Sequence, residues 1–479
     1  MMSRACRGSF LLVVCASACA GTADTRLEQS LEQSLERLVA CPDLAGGRVG
    51  VVVVDAATGA VAAEHAADHG FAPASNQKLL TSAVALQSLG PRHRMATELL
   101  LRGDVRDGVL HGDLVLRGYG DPTFAQEEVA PGRIDQLVQA VRECGIASVT
   151  GRVLGDGSWQ GDESLGLGWQ WDYLDEDYAA PFGGLVCAGN VYTVRVKPGA
   201  SGAEIAVEPV GVAQTAVAVK QGGNGAPTRL LARRRLGADV VEVSGSIAAD
   251  ATEQVLRVAV REPSRFAAAV FAAALRRAGV AVADGDAAAA GSERLLLRVE
   301  SPDLAVITQR LLTNSDNLYA EQVHRVAARV QSGSGSTAAA ERHAKQVLEA
   351  LGVDVRGMVI ADGSGLSRRN LVQPRQLASL LVAMWHSPHW EVFVSGLPLA
   401  GESGTLRNRF KSGVARGRVR AKTGFISRVV CLSGYVPRPD PGATPFVFSV
   451  MLNDFTCDEA KAKAAADAFV EELARAAGW

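Results

Sequence analysis

Apolar residues recur at helical spacing over residues 77–89, through Leu79, Leu80, Ala83, Val84, Leu86 and Leu89, and Gly90-Pro91 closes the run. That pattern predicts a buried helix. The same period runs through 26–39, where Leu27, Leu31, Leu35 and Leu38 share one face, and returns over 264–278, 303–330, 338–350, 374–385 and 458–476. Between the first two helices the pattern changes. The β-branched run RVGVVVV at 48–54 predicts a strand, Thr58-Gly59 a turn, and residues 60–65 a returning strand.

From about 97 to 260 long helical patterns are sparse. Short strand candidates at 95–102, 109–117, 149–155, 191–197, 204–210, 240–247 and 254–261 alternate with Gly- and Pro-rich turns, interrupted by one helix near 133–144. Strands near 418–424, 428–436 and 445–453 precede the last helix. The chain therefore reads as multi-domain α/β: an antiparallel sheet flanked by helices, built from both ends, with mostly-β material inserted between. GWQWDY at 168–173 could line a sugar or peptide groove, but core packing is the better default, and Asp121 in GYGDP is predicted to cap a turn rather than act as a catalyst.

Composition narrows the picture further. The 479 residues carry 49 basic against 51 acidic side chains, so a net charge of −2 gives no electrostatic argument for nucleic acid. Arg4 and Arg7 precede an apolar core from Phe10 to Ala16, and Ala16-Ser17-Ala18 fits a small-x-small cleavage site, so residues 1–20 read as an export signal. A lipid on Cys19 would hold the protein peripherally at a membrane. No later stretch is long and apolar enough to cross one. Eight cysteines lie at 6, 15, 19, 41, 144, 187, 431 and 457. The five beyond the signal are widely spaced, form no C-x-x-C and leave at least one thiol unpaired. His386 and His389 have no third ligand nearby, and no phosphate-cradling glycine motif occurs, so neither metal nor cofactor is expected.

Three short motifs carry chemistry. In PASNQKLL, Ser75 opens the 77–89 helix and Lys78 follows one turn on, the layout of a serine nucleophile served by a lysine base. In TNSDNLYAEQV, Ser315, Asp316 and Asn317 precede an apolar helical stretch. In RAKTGFI, Lys422, Thr423 and Gly424 end a strand. Each alone is ordinary. Together and in this order they make the set S-x-x-K, S-D-N, K-T-G of penicillin-binding proteins and class A β-lactamases. The chemistry needs these residue types. Lys78 accepts the serine proton only when neutral, which burial and a neighbouring cation such as Lys422 would favour. Ser315 can relay a proton to the leaving amine, and Asn317 can hold a substrate amide. Lys422 and Thr423 suit a terminal carboxylate. The backbone N–H groups of Ser75 and Phe425 suit an oxyanion.

With FAPASNQKLLTSAVALQSLGP at 71–91, GDLVLRGYGDPTF at 112–124, ADGSGLSRRN at 361–370 and SGLPLAGESGTLRNRF at 395–410, the chain resembles the D-alanyl-D-alanine carboxypeptidase/endopeptidases of the penicillin-binding protein 4 type (class C, low molecular mass). The resemblance implies a β-lactamase/transpeptidase-like catalytic domain with two inserted mostly-β domains in the 240 residues between Ser75 and Ser315. It gives residues 25–96 and 263–479 to the catalytic domain, 97–180 with 236–262 to one insert and 181–235 to a smaller one. It implies catalysis by Ser75, Lys78 and Ser315, and substrate binding by Asn317, Lys422, Thr423, Gly424 and Phe425. It implies periplasmic cleavage of peptidoglycan stem peptides and cross-links, and covalent inhibition by β-lactams. Two rivals remain: a β-lactamase, which needs a base for its deacylating water, and a catalytically inactive peptidoglycan-binding scaffold.

Overall fold

The structure, a computed structural model, describes residues 29–283, 292–440 and 442–479. The signal segment 1–20, Cys19 and most of the loop expected at 286–292 lie outside the described residues. The chain divides into two compact units. One holds residues up to 76, 372–387 and 397–479; the other holds 77–371 and 388–396.

The first unit is built on a five-stranded antiparallel sheet in the order Arg420–Ile426, Val429–Val436, Phe446–Asn453, Arg48–Asp55, Val61–His65. The two strands Val429–Val436 and Phe446–Asn453 are buried at every position, which requires cover on both faces. On one face Leu31, Leu35 and Leu38 of the helix at 29–39, and Phe469, Val470 and Leu473 of helix Glu459–Ala476, close a core with Val51, Val53, Leu432 and Val450. Helix Pro374–Trp385 packs against the sheet as well, and Tyr435 donates its hydroxyl to the Leu381 carbonyl at 2.8 Å. The hairpin stands at its β-branched run and turn, and the C-terminal strands lie within two residues of their expected positions.

The second unit contains three sheets. Ala96–Arg106 and Val109–Gly118 form the middle of a six-stranded sheet that Glu293–Glu300 and Ala281–Val282 complete. Two three-stranded sheets fall within 191–259, one of Val191–Lys197, Glu204–Glu208 and Gln254–Ala259, the other of Gln214–Gln221, Arg229–Arg234 and Val240–Ile247. The remainder is helical: Gln77–Leu89 packs against Asn317–Ser332 and Thr337–Ala350.

Two expectations change. The helix expected over 303–330 is two helices, Leu304–Asn314 and Asn317–Ser332. Ser315 ends the first in a left-handed conformation (φ 61°), and the Asp316 carboxylate caps the second by accepting from Tyr319 N–H at 3.1 Å. The aromatic cluster at 168–173 does not pack as one core. Trp171 is 80% exposed, whereas Trp169 meets Phe182 edge-on and donates its indole N–H to Asp362 at 2.9 Å. Asp121 caps its turn by accepting from the Thr123 N–H and hydroxyl.

Candidate active site

Ser75 sits in a one-turn 3-10 helix, Ala74–Asn76, immediately before helix Gln77–Leu89. Ala74, just ahead of it, has φ 44°, a costly conformation for a residue with a Cβ. The sheet holds this turn in place. Asn453 accepts from Ala72 N–H at 2.8 Å and donates to Ala72 O at 3.2 Å. Asn76, fully buried, donates to the Ser433 hydroxyl at 2.6 Å, and Ser433 donates on to Ser449 at 2.9 Å. Ser75 itself is half-buried.

The K-T-G strand belongs to the same unit. Lys422 stands opposite Ser433 in the antiparallel register and is fully buried, donating to the Thr423 carbonyl at 2.9 Å. Thr423 donates to the Thr405 hydroxyl at 2.7 Å. Gly424 is where the turn and strand touch. A Cβ there would lie 2.8 Å from the Pro73 carbonyl oxygen, 3.0 Å from Cys431 Cβ and 3.3 Å from Ala74 Cβ. Gly424→Ala is expected to shift the Ser75 turn and slow acylation by a fluorescent penicillin about a hundredfold with little change in Tm. Wild-type acylation by that variant would show the contact to be slack.

The strand Arg420–Ile426 is the last in its sheet, so one side of its backbone is open. Ala421 N–H points to that side, donating to Pro398 O at 3.1 Å. Backbone groups alternate along a strand, so the N–H groups of Thr423 and Phe425 point the same way. The Phe425 N–H thus lies on the free edge, in keeping with an oxyanion donor, and its ring is partly exposed.

The second unit supplies the amine and the S-D-N turn. Lys78 is fully buried and donates to Asn317 Oδ1 and to the Ser364 carbonyl, each at 2.6 Å. Asn317 also donates its Nδ2 to Tyr178 O at 2.7 Å. The turn Ser315–Leu318 lines a cavity of about 460 Å³ with Arg310, Tyr178, Arg195 and Arg257. Burial pulls the Lys78 amine down from its usual 10.5 to about 8, against Asp362, Asp316 and Glu321, which pull it up. Of the two causes expected from the sequence, burial is the one that produces the drop. At pH 7 an amine at about 8 is neutral about one time in ten, against about one in three thousand at 10.5.

The motif residues therefore fall into two sets. Ser75, Lys422, Thr423, Gly424 and Phe425 are brought together in one unit, and Lys78, Ser315 and Asn317 in the other; two residues of chain join Ser75 to Lys78. The motifs alone did not mark the residues around Lys78. Glu321 accepts from the N–H groups of Gly363 and Ser364 at 3.0 and 2.9 Å. Asp362 accepts from Gly365, Ser367, Asn370 and Trp169. A signal for Glu321 existed: it lies four residues after Asn317, on the same face of a helix whose neighbouring positions are apolar.

The model of the D-Ala-D-Ala carboxypeptidase 3 (S13) family matches residues 31–476. The D-alanyl-D-alanine carboxypeptidase of an Actinomadura species is 34% identical over 438 residues, 86% of this chain and 79% of that one. The D-alanyl-D-alanine carboxypeptidase DacB of Haemophilus influenzae is 26% identical over 87% of this chain and 88% of its own. Among solved structures, penicillin binding protein 4 from Haemophilus influenzae superposes with a TM-score of 0.75 at 24% identity, covering 94% of this chain and 98% of that one, so the multi-domain α/β transpeptidase-like fold is shared. From its first described helix to its last, this chain belongs to the D-Ala-D-Ala carboxypeptidase 3 (S13) family.

Proposed function

We infer that the protein is a penicillin-sensitive serine D-Ala-D-Ala carboxypeptidase/endopeptidase, acting on peptidoglycan stem peptides and cross-links through an acyl-serine. Ser75 Oγ gives its proton to neutral Lys78 and bonds to the carbonyl carbon of the penultimate D-Ala. The N–H groups of Ser75 and Phe425 receive the oxyanion. As the C–N bond breaks, the Ser315 hydroxyl gives its proton to the departing amine and takes the one that Lys78 accepted, leaving Lys78 neutral; water then hydrolyses the ester, and a proton of that water returns to Ser75 Oγ. Lys422 and Thr423 hold the terminal carboxylate. Asn317 Oδ1 keeps Lys78 in place and, with its second lone pair, accepts a substrate N–H. A β-lactam opens on the same hydroxyl. The observation that carries this reading is the buried Lys78 amine resting on the asparagine of the S-D-N motif.

The inserts are proposed at 97–180 with 236–262 and at 181–235. The site of action is proposed to be outside the cytoplasm, where the substrate is, on the strength of the signal-like residues 1–20. Among the described residues no helix is long and apolar enough to cross a membrane. Lipid attachment at Cys19 remains part of the proposal.

Incubation with a fluorescent penicillin and, separately, with cross-linked muropeptides tests the function. Stable labelling with D-Ala release is expected. Rapid loss of label would indicate a β-lactamase, and no label an inactive scaffold. Lys422→Ala is expected to lower kcat/KM for a peptide with a free C-terminal carboxylate by about a hundredfold, and for an uncharged ester of the same peptide by much less. Equal losses on both would remove the carboxylate role from Lys422.

A further inference from the structure

We propose that Glu321 is a positioning residue for this reaction: by accepting the N–H groups of Gly363 and Ser364 it fixes the Ser364 carbonyl on which the Lys78 amine rests. The proposal rests on Lys78 being the base. Asn317 and Ser364 both accept from the Lys78 amine, so where those two acceptors stand helps to set the direction in which the amine points. Asn317 is set by its helix and by Tyr178 O. The Ser364 carbonyl lies in a turn with no regular ladder to hold it. Its neighbours on that turn are tied instead to helix Asn317–Ser332 through Glu321 and to helix Gln77–Leu89 through Thr81, whose hydroxyl donates to Gly363 O at 2.6 Å. The turn has no slack. A Cβ at Gly363 would come within 2.6 Å of His324 Cβ and 2.8 Å of Ala320 O.

Glu321 is buried, and its second oxygen has no hydrogen-bond partner among the described residues. The charged and titratable groups around it are few. On its own helix Arg325 approaches to 4.0 Å, but its terminal nitrogens are spent on Glu163, Gly335 O and Thr337, and His324 lies beside it with its imidazole held neutral by burial. Asp362 faces it from the turn and Lys78 from helix Gln77–Leu89, with Asp316 acting on the same amine. Burial and the Asp362 charge push the Glu321 carboxyl up to about 7. Once ionised, it holds the Lys78 proton more tightly, so removing its charge while keeping its acceptor oxygen should free the base at lower pH.

The test is the pH profile of acylation by a chromogenic β-lactam in wild type, Glu321→Gln and Glu321→Ala. The glutamine carbonyl accepts the same two N–H groups, so it should recover most of the plateau rate and move the acid limb to lower pH. Alanine leaves two buried donors unpaired and lets the turn shift, and should lower kcat by about a hundredfold with KM nearly unchanged. A folded Glu321→Ala protein with wild-type kcat, or a Glu321→Gln limb that does not move, would overturn the proposal; if alanine fails to fold, the glutamine limb decides alone. Lys78→Gln, measured alongside, keeps the two readings apart: full acylation without the amine would reject the base itself, whatever happens at Glu321.

Discussion

Ser75→Ala is expected to leave a folded protein that forms no covalent penicillin adduct and releases D-Ala at a rate reduced on the order of a millionfold. The size follows from the chemistry. Without the hydroxyl no acyl-enzyme exists, so the difficult displacement is no longer divided into two easier steps. The surrounding turn should survive, because the groups that hold it are Asn76, Ser433 and Asn453, and not the Ser75 side chain alone. Intact mass after penicillin treatment and D-Ala release from a stem peptide read the two activities independently. Unchanged D-Ala release with the label gone would assign the hydrolysis to another nucleophile and reject the acyl-serine scheme.

Lys78→Gln is expected to lower acylation about a thousandfold, the usual span for loss of a general base, while noncovalent affinity for the peptide changes little. In wild type, log kcat for acylation should rise by one unit per pH unit and level off near pH 8, because the reactive form is the neutral amine and its population grows as pH rises through that value. The direction separates this base from a carboxylate or a histidine, whose limbs would lie several units lower or close to 6.5. A rate independent of pH from 6 to 9 would contradict the role of Lys78. So would a glutamine variant with wild-type acylation.

How much of this was legible in the chain differs by region. The helix carrying Lys78 was readable because its apolar residues recur at helical spacing, and the RVGVVVV strand and the two all-buried strands near the C-terminus because full burial leaves a short continuous apolar run. The strands Gln214–Gln221 and Arg229–Arg234 were not. They lie in a small sheet exposed at many positions, where Val217 and Leu231 are about half accessible and no contrast between faces develops. Glu293–Glu300 also escaped, since its Leu-rich run reads equally as helix and its partner Ala96–Arg106 lies nearly two hundred residues earlier. The break at Ser315 was hidden inside a continuous helical period, because a single left-handed residue leaves no periodic trace.

For the candidate site, the three motifs named the proposed reacting groups but not their supports. Asn76, Ser433, Glu321 and Asp362 are buried polar residues whose partners lie far off in sequence, so no local pattern reports them. Of the two causes that the motifs suggested for a neutral Lys78, burial and a neighbouring cation, burial dominates, and the charged groups acting on the amine are three carboxylates that burial outweighs.

The clamp on the Ser75 turn spans 381 residues from Ala72 to Asn453 and 357 from Asn76 to Ser433. A growing polypeptide would carry Ser75, the proposed nucleophile, through the 357 residues that separate Asn76 from Ser433 before the strands that shape its turn exist. Nascent chains, and products clipped ahead of those strands, are therefore expected to be inert towards peptides and antibiotics alike.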